Sequence, residues 1–536
     1  MTTFAIKASR VRKAALLVLA VAMACVLDAR ILRAEDGGAT SALAEVLTDS
    51  GGHAQRAQDF TLGHDYDAAR AELAKGNPAD PSNMIERGRV ALYEADCDGA
   101  LLTFSHPDVV KTDAGAFLAD IARGCARVTA ALVVDKDEAK GIELRYQDER
   151  DRALTPLIVE TVVKARDELT RDLGVSWPSP TRIIVVRDLL SLSAMTGLPY
   201  KAAQTTGTVA VAKWGRVTLL SPRASHHGYG WRDTIAHELT HLAVTRATRD
   251  RAPLWLQEGV AKRQESRWRE PGPFDDRPTP DAVVMRGMEL KLDIPLDKLG
   301  PSIAMLPSAD AAMVAFAEVT SFVRYFANTV GPDALPNLFK ELRADKKVDA
   351  ALRDASGSDL PTWDTKWRAF LASKPREPLP ALFGLGSDAS MGDLKDLRDR
   401  VRLAELLLGR DHPAQALLEL DRVKSPVALD DPSVRYLRAR ILEALERPKD
   451  GEPLLADPKA LLSSYGPWWA IRGRFARARG DDATAGSSFF EAVAADPFDV
   501  EAACEGLAAA ATPGDPAAKA LCDAARGRGD PSVGRD

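Results

Sequence analysis

The stretch His237-Glu238-Leu239-Thr240-His241 decides how the central part of this chain is interpreted. On an α-helix, residues i and i+4 lie on one face about one turn apart, so both imidazoles can contact one ion. Two histidines at this spacing suit Zn²⁺, and the glutamate beside the first histidine can reach a water molecule on the metal. The pattern also arises by chance, so its meaning depends on the residues around it.

A second segment, Pro253 to Ala261, supplies an acidic residue for the same site. Its sequence, PLWLQEGVA, predicts a short helix with proline in the first turn. Glu258 stands there in a mostly apolar run, where an unpaired buried carboxylate would be costly. A metal ion bound by His237, His241 and Glu258 would account for that charge.

The residues on both sides of the two segments predict a mixed α and β domain. The expected elements are a strand at 141–147, an amphipathic helix at 156–173, a buried strand at 181–186, a hairpin of 208–212 with 216–220, and helices at 313–329 and 332–345. The strand at 181–186 is apolar and β-branched, and Lys213-Trp214-Gly215 forms the turn of the hairpin.

Helix, strand, hairpin, HELTH and then WLQEGVA together resemble the gluzincin metallopeptidases, in particular the bacterial MA-like branch that is commonly fused to helical repeats. The resemblance covers residues 140–373. It implies that His237, His241 and Glu258 bind zinc and that Glu238 is the general base. A metzincin would instead need glycine and histidine at the positions of Val244 and Ala247.

The resemblance also implies a substrate-binding edge strand, which we expect at Arg216–Leu220. Two residues depart from the family pattern: Phe316 stands where a tyrosine is expected, and Lys262 where some gluzincins have an acidic residue that orients a ligand histidine. Asp233 and Glu265 are the alternatives for that orienting role. Candidates for an oxyanion donor or a further ligand are Tyr229, Tyr325, His226 and His227, for which packing or solvent exposure is the competing interpretation.

Helical hairpins are expected on both sides of this domain. At 40–135, Gly88, Ala100 and Phe104 fit the eighth, twentieth and twenty-fourth places of a degenerate tetratricopeptide repeat. At 395–525 a better copy contains Trp469, Gly473, Ala485, Phe489, Ala492 and Pro497 at the corresponding places, with a nonrepetitive helical bundle as the alternative. Residues 374–394 are rich in Pro, Gly, Ser and Asp and are interpreted as a linker. The predicted fold class is therefore an α+β zincin-like metallopeptidase core flanked by all-α helical-hairpin (tetratricopeptide-like) repeat modules.

Residues 1–34 are interpreted as a signal peptide or an uncleaved N-terminal anchor. A basic start precedes the apolar stretch from Ala14 to Leu27, which is short for a membrane span. Cleavage is expected near Ala24 or Ala34, and Cys25 leaves open a lipid anchor. We therefore expect a bacterial protein of the periplasm or cell envelope that contacts the membrane only through this anchor or a lipid on Cys25.

Composition and cysteine spacing add three expectations. A chain of 536 residues predicts two to four domains, and a net charge of −6 without a basic face argues against nucleic acid binding. In an exported protein, disulfides Cys97–Cys125 and Cys504–Cys522 are the natural pairings, and four small buried hydrophobic residues are the alternative. The chain contains no CxxC motif, which argues against a cysteine zinc site.

Two functions of different classes follow. The first is an exported zinc-dependent metallopeptidase that hydrolyses peptide bonds of a peptide or protein substrate, with helical repeats that bind substrate or a protein partner. The second is an interaction scaffold of helical repeats whose peptidase-like zinc domain has weak or no activity. The intact HELTH and Glu258 favour the first, and the altered positions Phe316 and Lys262 favour the second.

Overall fold

The computed structural model describes residues 50–527 with internal gaps. The gaps are 176, 178–179, 226–227, 272–274, 276–277, 301–302, 304–305, 378, 380–384, 386–390, 424–431, 456–465 and 507–515. The predicted signal or anchor at 1–34 with Cys25, the residues His226 and His227, and most of the predicted linker at 374–394 lie outside the described residues.

The described chain begins with short helices packed as hairpins. These are α1 (Ser50–Leu62), α2 (Tyr66–Leu73), α3 (Pro81–Tyr93), α4 (Cys97–Phe104), α5 (Pro107–Val110) and α6 (Asp113–Thr129). Aspartate side chains cap several of them; Asp80, for example, accepts the N–H of Ser82 while Pro81 occupies the first turn. Gly88 permits close packing of α3 against α4, because a Cβ there would meet the ring of Phe104 at 2.5 Å.

A five-stranded mixed sheet follows, in the order β1-β2-β3-β5-β4. The strands are β1 (Val133–Asp137), β2 (Ile142–Tyr146), β3 (Thr181–Val186), β4 (Ala210–Lys213) and β5 (Arg216–Leu220). β2, β3 and β5 run parallel, and the outer strands β1 and β4 pair antiparallel with β2 and β5. The expectation that Arg216–Leu220 forms the edge is therefore wrong: the second leg of the hairpin pairs with β3, and the first leg, β4, is left at the edge.

Both faces of the sheet are covered, which explains the apolar sequence of β3. Ile183 and Val185 point into the large core shared with the HELTH helix, whereas Ile184 and Val186 point into a second core with α3 to α6. Successive side chains of a strand alternate between faces, so a strand covered on both sides favours apolar residues at successive positions. The amino-terminal helices thus form one outer layer of the domain that contains the sheet.

The other layer holds the helices of the central region. In chain order they are α7 (Thr155–Leu173), α8 (Leu189–Thr196), α9 (Tyr200–Thr206), α10 (Trp231–Thr248), α11 (Leu254–Gln264), α12 (Pro280–Glu289), α13 (Ala309–Val330), α14 (Ala334–Arg343), α15 (Val348–Ser356) and α16 (Leu360–Ser373). Of these, α8 packs instead on the amino-terminal side of the sheet, where Leu192 and Met195 join the second core. Trp231, Phe322 and Trp367 are among the largest side chains buried in the first core.

The carboxyl-terminal part is helical. Its helices are α17 (Met391–Leu408), α18 (Pro413–Asp421), α19 (Pro432–Ala444), α20 (Pro448–Gly451), α21 (Gly466–Ala478), α22 (Asp482–Ala495) and α23 (Pro516–Arg526). α21 and α22 form a hairpin in which a Cβ at Gly473 would meet the ring of Phe489 at 2.9 Å. The hairpin also touches the central domain, because the N–H of Tyr229 donates to the carbonyl of Ala495 over 3.0 Å.

Both predicted disulfides, Cys97–Cys125 and Cys504–Cys522, are present. Among the described residues, no helix combines the length and the apolar composition that a bilayer crossing requires. The described chain is therefore mostly helical with one small mixed sheet, as the predicted α and β classes require.

Candidate metal centre

The HELTH segment lies in the middle of α10. An apolar stripe of Ile235, Leu239 and Leu242 is buried in the core and anchors the helix. His237 and His241 lie on a different face and keep about one sixth of their side-chain surface exposed, 15% and 17% respectively. The helix therefore presents both imidazoles to an accessible site and holds them rigidly.

α11 brings Glu258 to the same site. The helix begins after Pro253, and its apolar residues Trp255, Leu256 and Val260 are buried. Gly259 lets α11 approach α13 closely, since a Cβ there would lie 2.5 Å from the carbonyl oxygen of Val319. This close packing fixes the carboxylate of the neighbouring Glu258 beside α10.

The three side chains converge on one point. The Nε2 atoms of His237 and His241 are 3.2 Å apart, and each lies 3.7 Å from Oε2 of Glu258. Ligands about 2.0–2.1 Å from a tetrahedral zinc ion would be roughly 3.3–3.4 Å apart, which is close to this triangle. Among the described residues, these three form the only group of at least three His, Cys, Asp or Glu side chains that could hold a metal ion. Two imidazoles and one carboxylate leave a fourth coordination position open, so the donor set fits a catalytic zinc site.

Glu265 fixes which nitrogen of His237 faces this point. Its carboxylate lies 3.1 Å from Nδ1 of His237 and is paired with Lys262 at 2.9 Å. Burial raises the pKa of Glu265, but Lys262 and His237 outweigh it and lower that pKa to about 2. An ionised carboxylate only accepts hydrogen bonds, so Nδ1 of His237 carries a proton toward Glu265 and Nε2 is the nitrogen that faces the metal position.

The protein itself places strong opposite charges around this point. Burial lowers the pKa of His237, but the hydrogen bonds to Glu258 and Glu265 raise it by more than burial lowers it. The pKa of His237 is therefore about 10. For Glu258, burial raises the pKa and the two histidines lower it below its ordinary value. A divalent cation bound here would replace the His237 proton as the partner of Glu258, and metal binding would be linked to proton release.

Glu238 lies between the helix and the edge of the sheet. Its side chain is 8% exposed, and Oε2 accepts the backbone N–H of Ala212 over 2.6 Å. Because Leu220 donates to the carbonyl of Val209, the antiparallel alternation directs the backbone groups of Ala210 and Ala212 away from β5. The backbone edge next to the candidate base is therefore β4.

The remaining sequence candidates have other partners. The hydroxyl of Tyr229 donates to the carbonyl of Leu220, and Tyr325 packs against Phe370 and Trp363. Asp233 accepts from Trp268 and Arg269, so of the two alternatives only Glu265 contacts a ligand histidine. Phe316 lines a cavity of about 210 Å³ together with Lys262 and Glu265.

The candidate metal site lies within a segment that matches a known protein family. Residues 161–373 match the Peptidase MA superfamily. The match supports a zincin-like peptidase domain, and it contains His237, Glu238, His241, Glu258 and Glu265. It begins after the predicted boundary at residue 140 and covers less than half of the chain, so the amino-terminal helices and the carboxyl-terminal helices lie outside it. Comparisons with curated proteins and with solved structures found no match.

The sequence predicts the wrong strand of the hairpin at the edge of the sheet. A hairpin sequence indicates that two strands pair, but not which of them meets the rest of the sheet. In the structure β5 is buried at all five positions, whereas β4 ends in Ala212 and Lys213, which are half-buried. A strand with partly exposed small and charged residues suits an edge.

Proposed function

We propose that this protein is a zinc-dependent metallopeptidase of the gluzincin type. The observation that supports it most directly is the triangle of His237 Nε2, His241 Nε2 and Glu258 Oε2, with edges of 3.2, 3.7 and 3.7 Å. Residues 161–373 match a peptidase superfamily, and the triangle lies within that match. His237, His241 and Glu258 would hold the ion, which when bound would polarise a peptide carbonyl and acidify a water molecule.

The residues of the chain have separable roles in this reaction. β4 would bind an extended peptide through the outward backbone groups of Ala210 and the carbonyl of Ala212, since the Ala212 N–H donates to Glu238, and this pairing orients the scissile bond with little dependence on side chains. Glu238 would accept a proton from the attacking water and deliver it to the leaving amine. Glu265 would keep His237 in the required tautomer through Nδ1. Each of these groups is held by packed helices or by the sheet, so little rearrangement is required.

We further propose export and a binding role for the helical hairpins. Two disulfides are typical of oxidising compartments, which agrees with the signal-like residues 1–34. The Gly88–Phe104 and Gly473–Phe489 contacts are alike, as expected if both hairpins are tetratricopeptide-like repeats. Such repeats would bind a protein partner or deliver substrate to the peptidase domain.

Metal analysis and peptide cleavage on the full chain test the proposal. Wild type should hold about one zinc ion per chain, and His241→Ala should lose most of it. Glu238→Gln should retain zinc and lose turnover by several orders of magnitude, because only proton transfer is removed. Near-stoichiometric zinc in His241→Ala would refute the ligand set. Zinc without cleavage of any peptide by wild type would instead favour the scaffold function.

A further inference from the structure

The edge strand β4 packs directly against α10, the helix that carries the candidate base. Ala210 is buried in the core that α10 shares with the sheet, and Ala212 packs against that core. Since successive side chains of a strand alternate between its faces, both alanines face the side of the helix and Val211 faces the opposite side. A methyl group takes little space, so α10 can lie close to the backbone of the edge strand.

One side chain of α10 reaches the backbone of this strand. The N–H of Ala212 donates to Oε2 of Glu238 over 2.6 Å. Leu220 donates to the carbonyl of Val209, which places this residue pair in the hydrogen-bonded ladder of β4 and β5. Every second residue of β4 therefore turns its N–H away from β5, and Ala212 is one of them. A donor of the sheet edge is thus bound by the candidate base.

The two carboxylate oxygens of Glu238 have different surroundings. Oε2 is held by the strand. Oε1 accepts no hydrogen bond from any described residue, yet it is not fully enclosed, because Glu238 remains 8% exposed. A carboxylate oxygen that is accessible and unpaired can accept a proton from a water molecule. The structure therefore separates an oxygen that is held from an oxygen that is available for chemistry.

A general base benefits from being held in place before the reaction. A glutamate side chain has several rotatable bonds, and their freedom must be lost before the carboxylate can meet its proton. When this loss occurs during folding, it no longer adds to the barrier of the reaction. Hydrogen bonds that end on a carboxylate are stronger than those between neutral groups, so a single donor on a rigid strand can hold Glu238.

We propose that Ala212 is a positioning residue for the general base: its N–H holds Oε2 of Glu238 and thereby presents Oε1 to the attacking water. The inference rests on the proposed peptidase function. As the water oxygen bonds to the peptide carbonyl carbon, its O–H bond breaks and Oε1 takes the proton; when the C–N bond breaks, Oε1 gives that proton to the amine nitrogen. The Ala212 N–H stays on Oε2 throughout, so it is not a donor to the substrate.

Hydrogen exchange of the full chain, resolved at single residues, tests the contact without any need for activity. The Ala212 N–H lies on an edge that no other strand of the described sheet covers, so its protection depends on Glu238. Glu238→Ala should speed its exchange by at least about tenfold. Glu238→Gln is the matched control, because it keeps an acceptor oxygen and should retain most of the protection. Equally fast exchange in wild type and Glu238→Ala would overturn the inference.

Ala212→Pro removes the N–H and spares the side of β4 that pairs with β5. Proline is tolerated in an edge strand where its nitrogen faces outward. With Glu238 no longer held, kcat on a short internally quenched peptide should fall by about 10²-fold, whereas KM should stay within about threefold of wild type. Zinc content should match wild type, because Ala212 supplies no ligand. A raised KM with kcat preserved would instead make the Ala212 N–H a donor to the substrate and contradict the inference.

Two further variants of β4 complete the comparison. Ala212→Gly retains the N–H, so its kcat should exceed that of Ala212→Pro by at least about tenfold; equal losses would assign the effect to the methyl group and overturn the inference. Ala210→Pro removes an outward N–H that remains available to a peptide and should raise KM more than it lowers kcat. If Ala212→Pro does not fold, the exchange comparison decides. Protection of Ala212 that depends on Glu238, in a wild type that cleaves no peptide, would refute the peptidase function and leave the contact in place.

Discussion

Glu265 and His237 are joined by a hydrogen bond of 3.1 Å from Nδ1 to the carboxylate. Glu265 lies seven residues after Glu258, about two helical turns further along, and caps the carboxyl end of α11. The position four residues after Glu258, where an acidic residue was expected, holds Lys262, which pairs with Glu265. The carboxylate that orients His237 is therefore that of Glu265, about one helical turn after the expected position, and Lys262 forms an ion pair with it.

Glu265→Ala should weaken zinc binding while all three ligands remain. Removal of the Nδ1 acceptor leaves the ring and tautomer of His237 less constrained, and such outer contacts are worth about 10–100-fold in metal affinity. The measurement is competition with a chromophoric chelator. Asp233→Asn is the control, because the Asp233 carboxylate accepts from Trp268 and Arg269 instead. Unchanged zinc affinity in Glu265→Ala would remove Glu265 from the site.

Tyr229→Phe should leave catalysis nearly intact. The hydroxyl donates to the Leu220 carbonyl, and burial raises the pKa of Tyr229 well above its ordinary value, so it stays a proton-bearing structural donor. Loss of one such bond costs about 1 kcal/mol of stability. An oxyanion donor would instead cost roughly 10²–10³ in kcat. Steady-state kinetics beside a thermal melt distinguish the two roles, and a large fall in kcat with an intact melt would restore Tyr229 as a catalytic residue.

Gly473→Ala should lower the melting temperature. A Cβ there would lie 2.9 Å from the Phe489 ring, and overpacking of this kind costs about 1–3 kcal/mol. Gly409→Ala is the matched control, since its Cβ would meet nothing closer than 3.4 Å. Zinc content of the folded variant should match wild type, because α21 and α22 contribute no ligand. A melting temperature unchanged by Gly473→Ala would mean that α21 and α22 can move apart enough to admit the methyl group without loss of stability.

The site was more predictable from the sequence than the sheet around it. His237, His241 and Glu258 are local signals, fixed by helical spacing and by an acidic residue in an apolar run, and the structure brings them together. β3 was also predictable, because the apolar, β-branched run from Ile183 to Val186 is typical of a strand covered on both faces. β1 escaped detection because only alternate residues are partly buried and its sequence, VVDKD, is largely charged.

Arg216 illustrates what the sequence could not reveal. It is fully buried in a strand, which local pattern alone would disfavour. Its guanidinium donates to the carbonyl of Leu92 and contacts the sulfur of Cys125, both about a hundred residues away in the chain. The amino-terminal helices therefore pack on the sheet and cover one of its faces, a contact that the helical-hairpin pattern of residues 40–135 does not predict.

Glu318 should make the protein less stable as the pH rises. It is fully buried in α13; Oε2 accepts the N–H of Ile294, and Oε1 has no partner among the described residues. Burial raises the pKa of Glu318 to about 8, with the Ile294 bond and Arg368 opposing and Asp293 and Asp364 adding to the shift. The unfolded chain releases this proton near pH 4.5, about the ordinary value for glutamate.

The sign of this effect follows from proton binding. Between about pH 4.5 and pH 8 the folded protein binds one more proton at Glu318 than the unfolded chain, so the free energy of unfolding falls with rising pH, by about 5 kcal/mol at most. Glu318→Gln cannot ionise and should flatten this decline, whatever its effect on absolute stability. Urea unfolding at several pH values measures it, with the exposed Glu138→Gln as control. A Glu318→Gln curve parallel to that of wild type across this range would mean that the buried carboxyl is already ionised in the folded protein.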